Sequence, residues 1–357
     1  MKKIKLVVSD FHISKGRFLA DGRKNLLEDF YEDDKFIEFL EYYSSGEFAD
    51  YDVELICNGD FFNMLQVDYL DKFTDMISEQ VSVAKIRSII DGHPELFQAM
   101  AAFSSSPNRR VTFVVGNHDE ALLWKKVQEE IKETISKRTL FFSDTYTFDR
   151  VLVTHGHRYE FIHHFNPNDF WYETPDKERY LRLPWGSYFV IDFLNRMKQE
   201  RPFIDRVHPF SMYLKFAFFN DHFFFWKLLY NIVRFWFRNR THRDPYRRRE
   251  FKLSIGRLVE AMSHVPMAKG AEEILRRTHF QIVIMGHSHN KDYRMFNRHG
   301  EYFNTGTWLE TISLDARNLG RTQERTFVLI SYNRNGFPTA KLKQWIGKHK
   351  VEQDVQL

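Results

Sequence analysis

Five short apolar runs, at residues 4–8, 53–57, 111–115, 151–154 and 281–285, set the limits on what this chain can fold into. Each is short and rich in Val, Ile or Leu, so each reads as a strand. Amphipathic stretches of helical period separate the first four, among them 83–103 and 120–137. After the fifth the pattern changes. Residues 291–296, 301–304, 326–332 and 339–345 read as a meander of strands, closed by turns such as Asn333-Arg334-Asn335-Gly336. The prediction is an α/β fold of two stacked mixed β-sheets flanked by helices, an αββα sandwich. One domain is expected from 1–160 and 275–350, interrupted at 160–275 by a large, mainly helical insertion.

At 357 residues the chain has room for a sizeable core, and the absence of any internal repeat excludes a solenoid. A single cysteine, Cys57, excludes a disulfide framework and a Cys-based zinc site; placed inside the second run, it reads as a small buried hydrophobe. The N-terminal MKKIKLVVSD has too short an apolar run for a secretory signal, and no stretch reaches the roughly 18 apolar residues of a membrane span. The expected location is cytoplasmic, either free or peripheral on the cytoplasmic face of a membrane.

The net charge of +4 conceals a strong asymmetry. Residues 196–257 hold 15 Lys or Arg against 5 Asp or Glu, so the remainder of the chain is acidic. Inside that basic stretch, 13 of the 28 residues from 210 to 237 are aromatic. The sequence RNRTHRDPYRRR follows closely.

What ends the five strands points to chemistry. The runs are followed in turn by Asp10-Phe11-His12, Gly59-Asp60, Gly116-Asn117-His118-Asp119, His155-Gly156-His157 and Gly286-His287-Ser288-His289. In α/β sheets, loops at the carboxyl ends of strands converge on the ligand crevice. Two carboxylates, Asp10 and Asp60, the amide of Asn117 and four imidazoles, His12, His155, His287 and His289, form a mixed hard and borderline donor set. Such a set suits Mn²⁺ first, then Fe²⁺, Zn²⁺ or Co²⁺, rather than Ca²⁺. Seven donors exceed one tetrahedral site. Two ions bridged by one carboxylate can clamp a phosphoryl group and provide hydroxide at neutral pH.

In order and content these motifs, DFH, GD, GNHD, HGH and GHSH, resemble those of the calcineurin-like metallophosphoesterases, across the span Asp10 to His289. The resemblance implies two divalent ions, one held by Asp10, His12, Asp60 and His289 and the other by Asp60, Asn117, His155 and His287, with Asp60 bridging. It also implies that His118 touches the phosphate or protonates the leaving group, with Asp119 orienting it. Asn117, His118 and His157 are candidate substrate contacts, although His157 fits a purely structural role equally well. Gly59, Gly116 and Gly286 suit tight turns where a side chain would crowd the site. His163 and His164 follow HGH closely enough to line it. The segment Asn304-Thr305-Gly306-Thr307-Trp308 resembles the family's closing turn and implies a structural role.

The insertion is where substrate choice is expected to reside. Read as one helix, it places Asn220, Lys227, Asn231, Arg234 and Arg238 on one face and Phe224, Phe225, Leu228, Leu229, Ile232, Phe235 and Trp236 over the rest. An interfacial helix of this kind rests at headgroup depth and favours anionic lipid, so residues 210–240 are a candidate membrane contact. Packing on the body or in a dimer seam is the competing reading. Nucleic acid is disfavoured, because the Phe-Phe-Phe-Trp run is too apolar for a solvated groove. An apolar, basic cap beside such a site is similar to that of the UDP-2,3-diacylglucosamine diphosphatases. Those enzymes commonly carry Arg where this chain has His118. The expected reaction is hydrolysis of a phosphoester or pyrophosphate in an amphiphilic substrate. The alternative is a soluble nucleotide, nucleic acid or phosphoprotein substrate.

Overall fold

The computed structural model describes residues 2–163, 170–174, 177–242, 244, 246–248, 267–296, 299–315, 319–347 and 352–354. Three of the apolar runs become neighbouring parallel strands, β1 (Lys3–Val8), β2 (Asp52–Asn58) and β3 (Arg109–Val114). Between them lie α1 (Asp33–Tyr42), α2 (Glu79–Gly92) and α3 (Pro94–Ser105). The stretch 83–103 is therefore two helices rather than the one its period suggests. Pro94 lacks an N–H and pushes His93 out of helical geometry, to φ −136° and ψ 51°. The stretch 120–137 likewise opens with a 3₁₀ turn, and α4 begins only at Lys125 (Lys125–Thr134).

Two sheets are stacked. Short strands β4 (Leu140–Phe142), β5 (Thr145–Phe148) and β6 (Val151–Thr154) follow α4. Inside 160–275 come β7 (Trp171–Glu173), β8 (Arg179–Leu181), α5 (Trp185–Phe189), a π-helical turn (Val190–Leu194), α6 (Asn195–Lys198), β9 (Val207–His208), α7 (Phe210–Asn220) and α8 (His222–Arg240). After α9 (Met267–Arg277) the chain runs through β10 (Ile282–Met285), β11 (Lys291–Met295), β12 (Glu301–Thr305), β13 (Glu310–Ser313), β14 (Gly320–Gln323), β15 (Thr326–Tyr332), β16 (Pro338–Trp345) and β17 (Glu352–Asp354). One sheet has the order β17-β16-β15-β1-β2-β3-β4 and the other β11-β12-β10-β6-β5; β14, β13 and β9 form a small third sheet.

The alternation of side chains along each strand builds the layers. Val7, Ile56 and Val114 meet Val153, Ile284 and Phe303 between the sheets. Leu6, Val8, Leu55 and Phe113 face the opposite way, into the core under α1 to α4. On the far side, α9 covers Leu152, Val283 and Met285. The result is the predicted mixed α/β sandwich.

The expected single helix across 220–238 is broken at Asp221, which ends α7 and precedes α8. Its faces also differ from the prediction. Phe224, Leu228, Asn231, Phe235 and Asn239 form the buried stripe of α8, and Asn231 bonds the Lys227 carbonyl at 2.8 Å instead of joining a basic face. His164, Arg243 and the basic residues from Arg249 to Arg257 lie outside the described residues. Among the described residues, no helix is long and apolar enough to cross a membrane.

Candidate metal centre

The tips of β1, β2, β3, β6 and β10 converge, and the backbone shows that the convergence is forced. Ten described non-glycine residues have positive φ, and five of them are Asp10, His12, Asp60, His287 and His289. Left-handed backbone costs a non-glycine residue about 1–2 kcal/mol, and such strain collects where side chains must be aimed. The turns also exclude bulk, since a Cβ on Gly116 would meet the backbone nitrogen of Asp60 at 2.5 Å and one on Gly286 would strike Ser9 and Asp10.

Each buried carboxylate is held by one oxygen and offers the other. Asp10 Oδ2 accepts from the His287 backbone N–H at 2.9 Å and from the Ser9 hydroxyl. Asp10 Oδ1 lies 3.4 Å from His289 Nε2 and 3.9 Å from His12 Nε2. Asp60 Oδ1 accepts from the His118 backbone N–H at 2.8 Å, while Oδ2 lies 3.2 Å from His155 Nε2 and 3.7 Å from His12 Nε2. The Nε2 atoms of His12 and His289 approach to 3.0 Å. His155 donates from Nδ1 to the Asn58 carbonyl at 2.9 Å, which turns Nε2 toward the carboxylates. Asp10, His12 and His289 thus make one cluster of potential ligand atoms, and Asp60, His155 and His287 another.

This donor set fits divalent cations. Asp10 Oδ1, Asn117 Oδ1 and His155 Nε2 are buried without a hydrogen-bond partner among the described residues, an arrangement that costs free energy unless a cation satisfies it. The local pKa values show the same crowding. Burial, which would raise it, is outweighed for Asp60 by His155, His118 and His12, and its carboxyl is held well below the usual range. His155 is carried up to about 10, because Asp60 and Asp10 outweigh its burial. Burial first, then His118 and His289, push His12 well down.

The groups around the ligands are partly those expected. His118 lines a cavity at the centre and is pushed to about 4 by burial, with His289 and His287 adding to the effect. Its orientation is set by Asn63 Oδ1, 2.9 Å from Nδ1, and not by Asp119. Asp119 instead accepts the backbone N–H groups of Gly116 at 2.6 Å and Phe61 at 3.0 Å, tying the β2 and β3 tips together. Burial and the neighbouring Asp60 charge raise its carboxyl to about 7. His157 is buried beside His155, His287 and His163 and does not line the cavity. His163 does line it. Two functional positions were missed by sequence reasoning. Asn63 follows Asp60 by three residues, and Glu160, three after His157, accepts from His287 Nε2 at 3.0 Å, leaving Nδ1 of that ring for a ligand role. Proximity to the GD and HGH tips was the one signal for either.

The Asn304 to Thr307 turn buttresses the centre. Asn304 Nδ2 donates to the Gly286 carbonyl at 2.7 Å and the Thr307 hydroxyl to the Asp10 carbonyl at 2.6 Å.

A family model described as calcineurin-like phosphoesterase matches residues 5–291. The chain belongs to the calcineurin-like phosphoesterase family. As a member it is a phosphoester hydrolase, and its His and Asp clusters are suited to divalent metal. No curated protein matches the chain. Among solved structures, a protein from Staphylococcus aureus provisionally assigned as a 5′-nucleotidase, crystallised with α-ketoglutarate, is similar at 11% identity and a TM-score of 0.33. That match covers 99% of this calcineurin-like phosphoesterase and 56% of the other chain, so this chain spans little more than half of it. A dimetal phosphatase from Danio rerio is similar at 10% identity and a TM-score of 0.34, covering 94% and 98% of the two chains.

Proposed function

We propose that this phosphoesterase uses two divalent ions, Mn²⁺ foremost, to cleave a phosphoester or pyrophosphate bond of a lipid-linked or nucleotide-lipid substrate at an anionic membrane surface, on its cytoplasmic face. The observation that carries this reading is a cavity of about 280 Å³ that begins at Asp60, Asn117, His118, His287 and His289. Beyond those polar groups its wall is almost wholly apolar, formed by Phe189, Phe193, Leu214, Leu228 and Ile232. A wall of that kind suits a hydrocarbon chain joined to the phosphoryl group.

The same helices have an outer face. Phe216, Phe219, Phe223, Trp226, Tyr230 and Phe237 are all more than half exposed on α7 and α8, with Arg234 exposed among them beside Lys227 and Arg238, which pair with Glu200 and Asp192. Packing on the body accounts for Phe224, Leu228 and Phe235 but leaves this outer face without a purpose. An aromatic face with a basic edge matches the interface of an anionic bilayer.

Bound divalent ions would supply Lewis acidity at the phosphoryl group and make hydroxide available at neutral pH. By this reading Asp10, His12, Asp60 and His289 hold one ion, and Asp60, Asn117, His155 and His287 the other. His118, anchored through Nδ1, keeps Nε2 for the phosphoryl oxygens or the leaving group. The apolar wall excludes water beside the reacting bond.

The test is metal analysis of protein purified in Mn²⁺, together with hydrolysis of phosphate esters whose acyl chains increase in length. About two equivalents of metal and a kcat/KM that rises with chain length are expected. Absence of both metal and turnover would overturn the hydrolase mechanism, and turnover indifferent to chain length would overturn the amphiphile.

A further inference from the structure

A second cavity, of about 600 Å³, meets the first at the metal centre. Among the described residues that line them, His289 is the one common to both. The second is walled by Asn290 and Lys291, which follow His289 directly, by Thr307, which holds the Asp10 carbonyl at 2.6 Å, and by the β13 and β14 strands. Its chemistry is the reverse of the first. Thr311 and Ser313 on β13 and Thr322 on β14 present hydroxyls, and Asn290 presents an amide.

Three features narrow what it can hold. Among the described residues no Phe, Tyr or Trp lines it, so it lacks the broad rings that best stack a nucleobase. Among the described residues no Arg lines it, and the lysine that does, Lys291, is neutralised by Glu324 at 2.9 Å, so they offer little to a second phosphate. Most of the other polar groups suit alcohols: side-chain hydroxyls and the Asn290 amide donate and accept, the His208 ring can do either, and the Glu324 carboxylate accepts. Thr311 and Thr322 already hydrogen-bond one another at 2.9 Å across the strands, as hydroxyls ready to be shared with a third.

We infer that this groove binds a neutral, hydroxyl-rich group, sugar- or polyol-like, carried on the phosphate opposite the hydrocarbon, so that the substrate is a phosphodiester rather than a monoester. The inference rests on the hydrolase reading above and sharpens it. Water adds to phosphorus, one phosphorus–oxygen ester bond breaks, the departing oxygen takes a proton, and the products are one alcohol and one phosphomonoester.

The experiment compares kcat/KM of the full chain in Mn²⁺ for phosphatidylinositol, phosphatidic acid, CDP-diacylglycerol and bis(p-nitrophenyl) phosphate. Phosphatidylinositol is expected to exceed both phosphatidic acid and the nucleotide lipid by about tenfold or more. Thr311→Val/Thr322→Val, and separately Ser313→Ala, should lower the phosphatidylinositol to phosphatidic acid ratio by about tenfold, mainly through KM, with thermal unfolding of each variant confirming its fold. A preference for phosphatidic acid or for the nucleotide lipid, or a ratio that neither variant moves, overturns the inference and leaves the hydrolase standing. No turnover of any probe, the nitrophenyl ester included, overturns the hydrolase reading and this assignment with it.

Discussion

Phe223 and Phe224 are adjacent on α8, yet Phe223 is 95% exposed and Phe224 only 3%. That contrast allows membrane contact to be separated from packing. Phe219, at the end of α7, is 69% exposed and belongs to the same outer face. Seating an exposed Phe in an apolar environment contributes about 2 kcal/mol, so each of Phe219→Ser and Phe223→Ser should weaken vesicle partitioning about thirtyfold, and the pair about a thousandfold if additive. Neither side chain is buried, so each substitution should change unfolding free energy by no more than about 0.5 kcal/mol. Phe224→Ser should instead cost about 3–5 kcal/mol of stability, because it empties a site packed against Tyr213 and the Arg201 guanidinium. The assay is co-flotation with vesicles of graded phosphatidylserine content, alongside thermal or urea unfolding. Salt should weaken the wild type's binding, because the basic edge contributes through screened attraction. Wild-type protein that ignores anionic vesicles, or a double variant that floats as well as the wild type, would refute the interfacial reading.

Three further outcomes follow from single contacts. Asn63→Leu removes the acceptor that holds the His118 ring and should lower kcat about tenfold or more while metal content stays at the wild-type level; loss of metal would show that Asn63 supports the ligands instead. Lys198, fully buried on α6, bonds Asp29 at 2.5 Å, Asp205 at 2.7 Å and Gln66 at 3.1 Å, so Lys198→Met removes the cation the two carboxylates share, leaves Arg206 at 3.4 Å from Asp29, and should cost about 3–5 kcal/mol. Without the cation those carboxyls titrate above their unfolded values, so the native state holds more protons and the deficit should be larger at pH 8 than at pH 5; a deficit that urea unfolding finds independent of pH would refute this account. Burial lowers the pKa of His93, but hydrogen bonds to Asp33 at 2.5 Å and Glu28 at 3.2 Å outweigh it and carry the ring up to about 9. A folded value above the ordinary 6.5 gives stability that is complete below about pH 6.5 and is lost as pH rises through about 9. His93→Gln should therefore destabilise by up to about 3 kcal/mol at pH 6, and the gap from wild type should close by pH 10 in urea unfolding; a constant gap would refute the linkage.

Much of the frame was legible because parallel strands buried on both faces must be continuously apolar. The runs at 4–8, 53–57, 111–115, 151–154 and 281–285 all became strands within two residues of their expected ends. The errors fell where local chemistry overrode periodicity. Pro94 split one helix, Asp221 split another, and α8 turned Asn231 inward because Phe224, Leu228 and Phe235 share its stripe at spacings of three and four. Short, solvent-facing strands such as β13 and β14 carry too little apolar pattern to announce themselves, and one of the two cavities is built on them.

The sequence alone determined which atoms come together. Asp10, His12, Asp60, Asn117, His155, His287 and His289 sit directly behind buried strands, and strand tips in one sandwich have nowhere else to meet. Tertiary structure decided what each atom faces. It assigned the orientation of His118 to Asn63 rather than Asp119, brought Glu160 to His287, and set the apolar cavity against the polar one at His289. It also divided the aromatic excess into a face that packs and a face that does not. The physical reason is that hydrophobic periodicity reports burial along one element, whereas a hydrogen bond, a cavity or an exposed patch is set by how separate elements dock, and no local pattern encodes that.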